Sequence, residues 1–262
     1  MATLKMTFSK ALLIAAALLF GLEAYAGDYE KKTYTGKDGS VLLYRQLSPE
    51  SSKGGKYPLI LFLHGAGERG NDNEAQLTHG SGIFQNPANA EKYPAYVLFP
   101  QCPVGTTWAF DEQRSWSLGP DEIPVDEPEA KMMTLLIGLV KDFIASHPDV
   151  NPRKVYVMGL SMGGIATYDI TSRYPEVFAA AVPICGAVNP AKVKKAAGVK
   201  FSIYHGDHDS VVPVACSREA YKALKAAGAK VRYKEFAGCD HGSWNPAFNE
   251  PDFMPWLFKQ HK

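Results

Sequence analysis

The sequence has almost no net charge, and this shortage argues against one class of partner. The chain of 262 residues carries 28 Lys and Arg against 27 Asp and Glu. Proteins that bind nucleic acid usually present an excess of basic residues to the phosphates, and this chain has no such excess. We therefore expect no nucleic acid partner.

An apolar run long enough to cross a bilayer is also lacking. The uncharged run from Ala11 to Leu22 falls short of the roughly 20 apolar residues that a spanning helix needs. Lys5 and Lys10 precede the run and Ala24-Tyr25-Ala26 follows it, a pattern typical of an export signal cut after Ala26. A buried N-terminal helix is the alternative, but it would normally carry a polar face.

Export divides the chain into two parts. We predict a signal peptide over residues 1–26 and one catalytic domain over residues 27–262, because no shift in composition marks a second domain. The mature protein is then expected to be secreted or periplasmic, without stable insertion in a membrane. The sequence does not specify an oligomeric state.

Several short apolar runs lack the alternation of a half-exposed strand. They cover residues 57–63, 96–99, 155–158, 179–184 and 201–204. Strands that are apolar on both faces belong in a largely parallel sheet covered by helices. Helical patterns from Met133 to Ile144 and from Ser217 to Ala227 lie among these runs. The predicted fold class is therefore α/β, with a mostly parallel central sheet and helices on both faces.

One serine lies between glycines at the end of a predicted strand. Gly159-Leu160-Ser161-Met162-Gly163 follows the run 155–158 and precedes a helical stretch from Ile165 to Arg173. A serine on so tight a strand-to-helix turn needs neighbours without side chains. The pattern alone is weakly specific, but its place after a buried strand favours Ser161 as a nucleophile.

A serine nucleophile needs a base to take its proton and an acid to orient that base. In folds with this turn both partners follow the serine, each on a loop after a later strand. The segment from His205 to Asp209 follows the run 201–204, and Asp240-His241 follows an alternating run. These positions favour His241 as the base and Asp207 or Asp209 as the acid.

Ester or amide hydrolysis through a serine also needs backbone N–H donors for the oxyanion of the tetrahedral intermediate. Met162, next to the serine, is one candidate donor, and the loop after an early strand supplies the other. His64-Gly65-Ala66-Gly67 occupies that place in the chain. We therefore predict that Ala66 and Met162 form the oxyanion hole.

The four cysteines are Cys102, Cys185, Cys216 and Cys239. An exported chain meets an oxidising compartment, where cysteines pair readily. Cys216 and Cys239 flank the predicted acid and base, so a bridge between them would brace the site. Buried free thiols are the alternative.

Longer motifs around these residues carry a family resemblance. They are His64-Gly65-Ala66-Gly67-Glu68-Arg69-Gly70, Pro100-Gln101-Cys102-Pro103 with Trp108, Gly159 to Gly164, Pro183-Ile184-Cys185-Gly186, His205 to Pro213, and His241-Gly242-Ser243-Trp244. In these motifs the sequence resembles bacterial secreted α/β-hydrolase esterases of the carbohydrate esterase and feruloyl esterase type. Members of that group, which is similar to phospholipases and carboxylesterases, are often labelled predicted peptidases.

The resemblance implies an α/β-hydrolase fold without a large lid domain and a serine esterase that forms an acyl-enzyme. It implies that Asp209, rather than Asp207, is the acid. It also implies that Gln101 and Trp108 contact the substrate near the acyl site, where a flat indole can stack on an aromatic or sugar ring. A purely structural Trp108 is the alternative. The implied substrates are feruloyl or acetyl esters of carbohydrate.

Other functions compete with the esterase. A zinc hydrolase would use the acidic and histidine residues at 205, 207, 208, 209, 240 and 241, but would leave the serine turn unexplained. A serine peptidase uses the same chemistry, although peptidases of the prolyl oligopeptidase type carry a gating domain for which few residues are available here. A non-catalytic binding protein would not need the serine, histidine and aspartate, and an acyltransferase would use all three. The sequence contains no convincing nucleotide or flavin motif, so we expect no cofactor.

Overall fold

The computed structural model describes residues 28–49, 55–111 and 115–262. The predicted signal peptide lies outside these residues. Their centre is an eight-stranded sheet with the strand order β1-β2-β4-β3-β5-β6-β7-β8. The strands are β1 (Glu30–Thr35), β2 (Val41–Leu47), β3 (Tyr57–Leu63), β4 (Tyr96–Pro100), β5 (Val150–Leu160), β6 (Ala180–Ile184), β7 (Lys200–Gly206) and β8 (Val231–Phe236).

Helices flank the sheet on both faces. Those in the described ranges are α1 (Ser81–Gln85), α2 (Pro87–Lys92), α3 (Lys131–Ser146), α4 (Met162–Arg173), α5 (Pro190–Val193), α6 (Val214–Ala226), α7 (Trp244–Phe248) and α8 (Phe253–Lys259). Within these same ranges, none of the helices has the length and apolar composition that crossing a membrane requires.

Strand β3 shows why the sheet is covered on both faces. All of its residues are buried. Because side chains alternate along a strand, Leu59, Leu61 and Leu63 pack with α3, α4 and α6, whereas Ile60 and Phe62 pack with α1, α7 and α8. A strand between two apolar layers has no polar face, which explains the unbroken apolar run in the sequence. The predicted α/β class is confirmed.

The parallel strands bring their loops to one edge of the sheet. The register pairs Leu63 with Gly159 and Leu160 with Ile184, so β3, β5 and β6 end at the same level. Strands β7 and β8 continue the parallel set, while β1 and β2 are antiparallel at the other side. The loops that follow β3, β5, β7 and β8 therefore lie together at the carboxyl edge, where α/β sheets usually hold their sites.

Two details differ from the sequence-based expectation. Strand β5 begins at Val150, before the apolar run at 155–158, because Val150 pairs with Tyr57 of β3. The stretch from Gly65 to Tyr93, whose Gly, Asn, Asp and Pro content predicts a long loop, contains α1 and α2. Helix α2 begins where the Asn86 side chain accepts hydrogen bonds from the N–H groups of Ala88 and Asn89, with Pro87 in the first turn. Asn86-Pro87 is therefore a helix-start signal, but the polar residues around it made the stretch resemble a loop.

All four cysteines are free thiols in the structure. Cys102, Cys185 and Cys216 are buried, and Cys239 is partly exposed. Of the two alternatives for Cys216 and Cys239, the structure therefore has the free thiols and not the bridge. The loops that carry the predicted acid and base are joined by backbone and side-chain hydrogen bonds instead.

We expect Gly163→Ala to unfold the protein or to destabilise it by about 3 kcal/mol or more. A Cβ atom on Gly163 would lie 1.9 Å from the carbonyl oxygen of Leu63, so α4 could no longer approach β3. Urea unfolding measures the change. Gly198→Ala is the matched control, because a Cβ there meets nothing within 4 Å, and its stability should stay within about 0.5 kcal/mol of wild type. Equal stability of the two variants would contradict the role given to this contact.

Candidate active site

Ser161 lies at the sharp turn between β5 and α4. Its backbone has φ 54° and ψ −118°, a conformation that residues with a side chain rarely adopt. A Cβ on Gly159 would lie 2.4 Å from the carbonyl oxygen of Gly163, so the turn closes only with glycine there. The backbone N–H of Ser161 donates to the carbonyl oxygen of Ile184 at 3.0 Å. These contacts hold the serine hydroxyl at the carboxyl edge of the sheet.

The structure brings Ser161, His241 and Asp209 together. The Nε2 atom of His241 lies 2.9 Å from Ser161 Oγ, and its Nδ1 atom lies 2.8 Å from Asp209 Oδ2 and 3.0 Å from Oδ1. A carboxylate only accepts hydrogen bonds, so Nδ1 of His241 carries the proton. In the neutral imidazole, Nε2 is then the acceptor that faces the serine hydroxyl, which is the tautomer a general base requires.

The carboxylate of Asp209 is fully enclosed and satisfied by several donors. Its side chain has 0% exposure, and Oδ1 accepts the backbone N–H groups of Val211 and Val212, each at 2.9 Å. Burial alone raises the pKa of this carboxyl. Hydrogen bonds from His205, His241 and the two valines outweigh burial and hold the pKa of Asp209 well below its ordinary range. Asp209 is therefore ionised beside His241.

His205 is a site residue whose contact with Asp209 the sequence analysis missed. It is fully buried, and its Nε2 atom lies 3.1 Å from Asp209 Oδ2 and 3.0 Å from the carbonyl oxygen of Val212. Both oxygens only accept, so Nε2 carries a proton and shares it between them. The Nδ1 atom lies 2.7 Å from Ser217 Oγ. The available signal was a histidine four residues before the acid, directly after the predicted strand 201–204.

The loops that carry Asp209 and His241 are joined to each other. The N–H of His208 donates to the carbonyl oxygen of Cys239 at 3.1 Å, and a Cβ on Gly206 would lie 2.2 Å from that same oxygen. Asp240 Oδ1 accepts the N–H and the hydroxyl of Ser210, both at 2.8 Å. The two loops therefore form one hydrogen-bonded unit.

Asp207, the other candidate for the acid, does not contact His241. It holds a neighbouring turn. Asp207 Oδ1 accepts the backbone N–H of Gly238 at 2.7 Å and lies 2.6 Å from Nδ1 of the exposed His208. The six residues of the zinc alternative therefore do not converge on one point: Asp207 pairs with His208, whereas Asp209 contacts His205 and His241. Within the described ranges, the one group of three or more acidic, histidine and cysteine side chains whose ligand atoms all lie within 4.8 Å of one another is Cys185, Asp209 and His241.

Ala66 and Met162 each begin a helical turn beside Ser161. Ala66 opens a short 3-10 turn that ends at Glu68, and Met162 is the first residue of α4. The first N–H groups of a helical turn have no acceptor within that turn. A Cβ on Gly65 would lie 3.5 Å from the Cβ of Ser161, so the loop that carries Ala66 passes directly beside the serine. The carbonyl oxygen of Ala66 accepts from Arg69 Nε at 2.9 Å.

The buried side chain of His64 stabilises the same loop through hydrogen bonds of both ring nitrogens. Its Nε2 atom accepts the N–H of Cys102 at 3.0 Å, so Nδ1 carries the proton and donates to the carbonyl oxygen of Gly65 at 2.6 Å. The indole Nε1 of Trp108 donates to the carbonyl oxygen of His64 at 3.2 Å. Burial lowers the pKa of His64 to about 4, so the imidazole is neutral at pH 7.

Gln101 and Trp108 do not present their side chains to a ligand. Trp108 has 0% exposure and Gln101 2%, so the predicted stacking of the indole on a substrate ring does not fit this structure. Gln101 Oε1 accepts the N–H of Asn73, and its Nε2 donates to Asp72 Oδ1, each at 2.7 Å. Both side chains support the loops beside the serine, and for Trp108 the structural alternative holds.

A largely parallel α/β sheet with a serine on a glycine-flanked strand-to-helix turn defines the α/β-hydrolase fold. The chain belongs to the Phospholipase/Carboxylesterase family, whose model matches residues 48–250. The resemblance stated from the sequence is thus confirmed at the level of carboxylesterase-type serine hydrolases.

Two relatives in sequence are esterases or depolymerases. Carboxylesterase SOBER1 of Arabidopsis thaliana is 27% identical over 200 residues, which cover 71% of this chain and 84% of that protein. Poly(3-hydroxyalkanoate) depolymerase C of Paucimonas lemoignei is 32% identical over 129 residues, which cover 49% of this chain and 28% of that protein. The chain therefore matches little more than a quarter of the depolymerase.

Among solved structures, a thermostable esterase is similar over most of this chain. The superposition has a TM-score of 0.82 at 33% identity and covers 91% of this chain and 64% of the esterase. Somewhat more than a third of that esterase has no counterpart here.

We expect His64 to make the folded protein less stable as the pH falls from about 6.5 to about 4. In that window the unfolded chain binds a proton at His64 that the folded chain does not, and this lowers the free energy of unfolding by up to about 3 kcal/mol. Urea unfolding at pH 7 and pH 4.5 measures the loss. It should be smaller in His64→Gln than in wild type. His261→Gln, at the exposed chain end, is the control and should keep the wild-type loss; an equal loss in His64→Gln would contradict the prediction.

Proposed function

We propose that the protein hydrolyses carboxylic esters through an acyl-enzyme, with Ser161 as nucleophile, His241 as general base and acid, and Asp209 as the supporting acid. The observation that carries the proposal is the continuous hydrogen-bond chain from Ser161 Oγ through His241 to Asp209. Membership of the Phospholipase/Carboxylesterase family supports the same chemistry.

The geometry supports a two-step reaction. Ser161 Oγ attacks the ester carbonyl carbon while its proton passes to Nε2 of His241, and the carbonyl oxygen becomes an oxyanion between the N–H groups of Ala66 and Met162. The intermediate collapses, the bond to the alcohol breaks, and the alcohol leaves with the proton from Nε2. Water then attacks the acyl-serine in the same way, which releases the acid and returns the proton to Ser161. Asp209 stabilises the imidazolium of His241 in both steps.

We further propose that the ester is a feruloyl or acetyl ester of carbohydrate. The motifs from His64 to Gly70 and from His241 to Trp244 support this assignment through the resemblance to carbohydrate and feruloyl esterases. The names of the two sequence relatives, a carboxylesterase and a polyester depolymerase, support an ester over an amide. Peptide hydrolysis, acyl transfer and a non-catalytic binding role are the alternatives, and the measurements below separate the first and the last from ester cleavage.

We also propose that the protein is exported from the cytoplasm. The lysines, apolar run and Ala24-Tyr25-Ala26 at the start of the chain support a secreted or periplasmic enzyme that meets polymer-linked esters outside the cytoplasm. Expression of the full chain with and without residues 1–26 tests this. The full chain should appear outside the cytoplasm with a new N-terminus at residue 27, and the truncated chain should stay inside.

Ser161→Ala should lower kcat by at least about 10⁴-fold on any ester that the wild type cleaves, because the reacting group is removed. Turnover is measured on acetyl, butyryl and feruloyl esters and on a peptide amide. The thermal midpoint of the variant controls for folding. Turnover by Ser161→Ala at the wild-type rate would refute the nucleophile, and preferential cleavage of the amide would establish a peptidase instead.

His205 should act as a positioning residue whose N–H competes with His241 for Asp209. Without that donor, Asp209 binds the imidazolium of His241 more strongly, so His205→Leu should shift the acid limb of kcat/KM to higher pH by about half a unit. His205→Gln keeps two N–H donors for Asp209 and Val212 and should restore the wild-type limb.

Other titratable groups near Asp209 do not change their protonation state over the pH range of the acid limb. They are Cys185, Cys216, Cys239 and Asp240. Burial raises the pKa of the three thiols, and hydrogen bonds from Ser210 and His241 lower the pKa of Asp240. His208→Gln is the control, because His208 is exposed and pairs with Asp207. An unshifted limb in His205→Leu would show that His205 only fills space.

A further inference from the structure

Several buried polar atoms in the described part of the chain have no hydrogen-bond partner, and two of them belong to large side chains that follow β3 and β8. These two atoms are Oε2 of Glu68 and Nε1 of Trp244. Glu68 is 9% exposed and ends the 3-10 turn that begins at Ala66. A buried carboxylate oxygen or N–H group without a partner costs free energy, so each of these two atoms calls for a physical explanation.

Both atoms belong to side chains that border the reacting groups. Glu68 Oε2 lies 3.1 Å from the point where a Cβ on Gly65 would stand, and that point is 3.5 Å from the Cβ of Ser161. The ring of Trp244 meets the ring of His241 edge to face, with 5.6 Å between their centroids. One unpartnered atom is therefore on the side of the nucleophile and the other on the side of the base.

His79 connects these two side chains. Its Nε2 atom lies 3.7 Å from Glu68 Oε1, and its ring lies 5.1 Å from the ring of Trp244. The side chain of His79 is 33% exposed, and no hydrogen bond within the described ranges fixes its ring. The imidazole can therefore turn toward a bound group without breaking a hydrogen bond.

The chemistry of the two atoms selects the kind of ligand group. A carboxylate oxygen only accepts hydrogen bonds and an indole Nε1 only donates. An ammonium group satisfies Glu68 but leaves Trp244 without an acceptor, and a carboxylate satisfies Trp244 but is repelled by Glu68. A hydroxyl group both donates and accepts, so it can satisfy either atom. An apolar group matches neither.

We propose that Glu68, His79 and Trp244 form a subsite that binds a hydroxyl group of the ester substrate next to the scissile bond, an inference that rests on the proposed esterase function. The substrates are then hydroxylated esters. The hydroxyl can belong to the alcohol, as in a sugar or polyol, or to the acyl group, as in a hydroxy acid. The two sources share the same hydrogen-bond chemistry and are separated by the choice of substrates.

The test compares kcat/KM for two matched pairs of esters on the purified full chain. Glyceryl acetate against propyl acetate reports a hydroxyl on the alcohol, and ethyl 3-hydroxybutyrate against ethyl butyrate reports a hydroxyl on the acyl group. The ratio within each pair cancels changes in the shared catalytic steps. Wild type should prefer the hydroxylated member of one pair by about tenfold or more, since a hydrogen bond to a charged group discriminates at least that strongly.

Glu68→Gln and Trp244→Phe should each bring that ratio toward one. The first variant removes the charge and keeps the shape, and the second removes the indole N–H and keeps an aromatic ring. Glu74→Gln is the matched control, because Glu74 is exposed in the same loop and pairs with Lys31 and Arg45. It should keep the wild-type ratio.

The outcomes separate this inference from the proposed function. A preference confined to the first or second pair supports the subsite and identifies the source of the hydroxyl. A ratio near one for both pairs in wild type, or an unchanged ratio in both variants, overturns the subsite while Ser161-dependent turnover stands. Turnover that persists in Ser161→Ala would overturn the esterase mechanism itself.

Discussion

The backbone contact between the end of β3 and the start of α4 is the constraint on which the site depends. Gly163 brings its Cα so close to the carbonyl oxygen of Leu63 that no side chain can intervene, and the register pairs Leu63 with Gly159 in the neighbouring strand. The segment that follows β3 must then run past the serine turn. As a result, the N–H groups of Ala66 and Met162 are near Ser161 because of backbone packing, before any side chain contributes.

The sequence predicted the features that depend on local pattern and chain order. Unbroken apolar runs indicated the covered strands, and the glycines around Ser161 indicated a turn that excludes side chains. The choice of Asp209 over Asp207 came from the family resemblance, since both residues follow β7. Only the folded chain explains that choice physically: Asp209 is enclosed with donors around it, whereas Asp207 is on the surface with His208.

Residues that act through long-range contacts were harder to predict. Gln101 and Trp108 belong to motifs near the site, but their side chains turn into the protein, where they bond to Asn73, Asp72 and the carbonyl oxygen of His64. His205 contacts Asp209 only because the chain turns back after β7. The partnerless atoms of Glu68 and Trp244 depend on packing between distant loops. Apart from the four-residue spacing of His205 and Asp209, none of these contacts has a periodicity or a spacing that a sequence can display.

The joined loops after β7 and β8 have a consequence for proton transfer at this centre. Hydrogen bonds from His208 to Cys239 and from Ser210 to Asp240 tie the acid and the base to a common frame, while Ser161 belongs to a separate turn. The His241–Asp209 contact therefore lies within one hydrogen-bonded unit, whereas the Ser161–His241 contact joins two. In the proposed mechanism, the proton of the serine hydroxyl is therefore transferred across the junction between these two units.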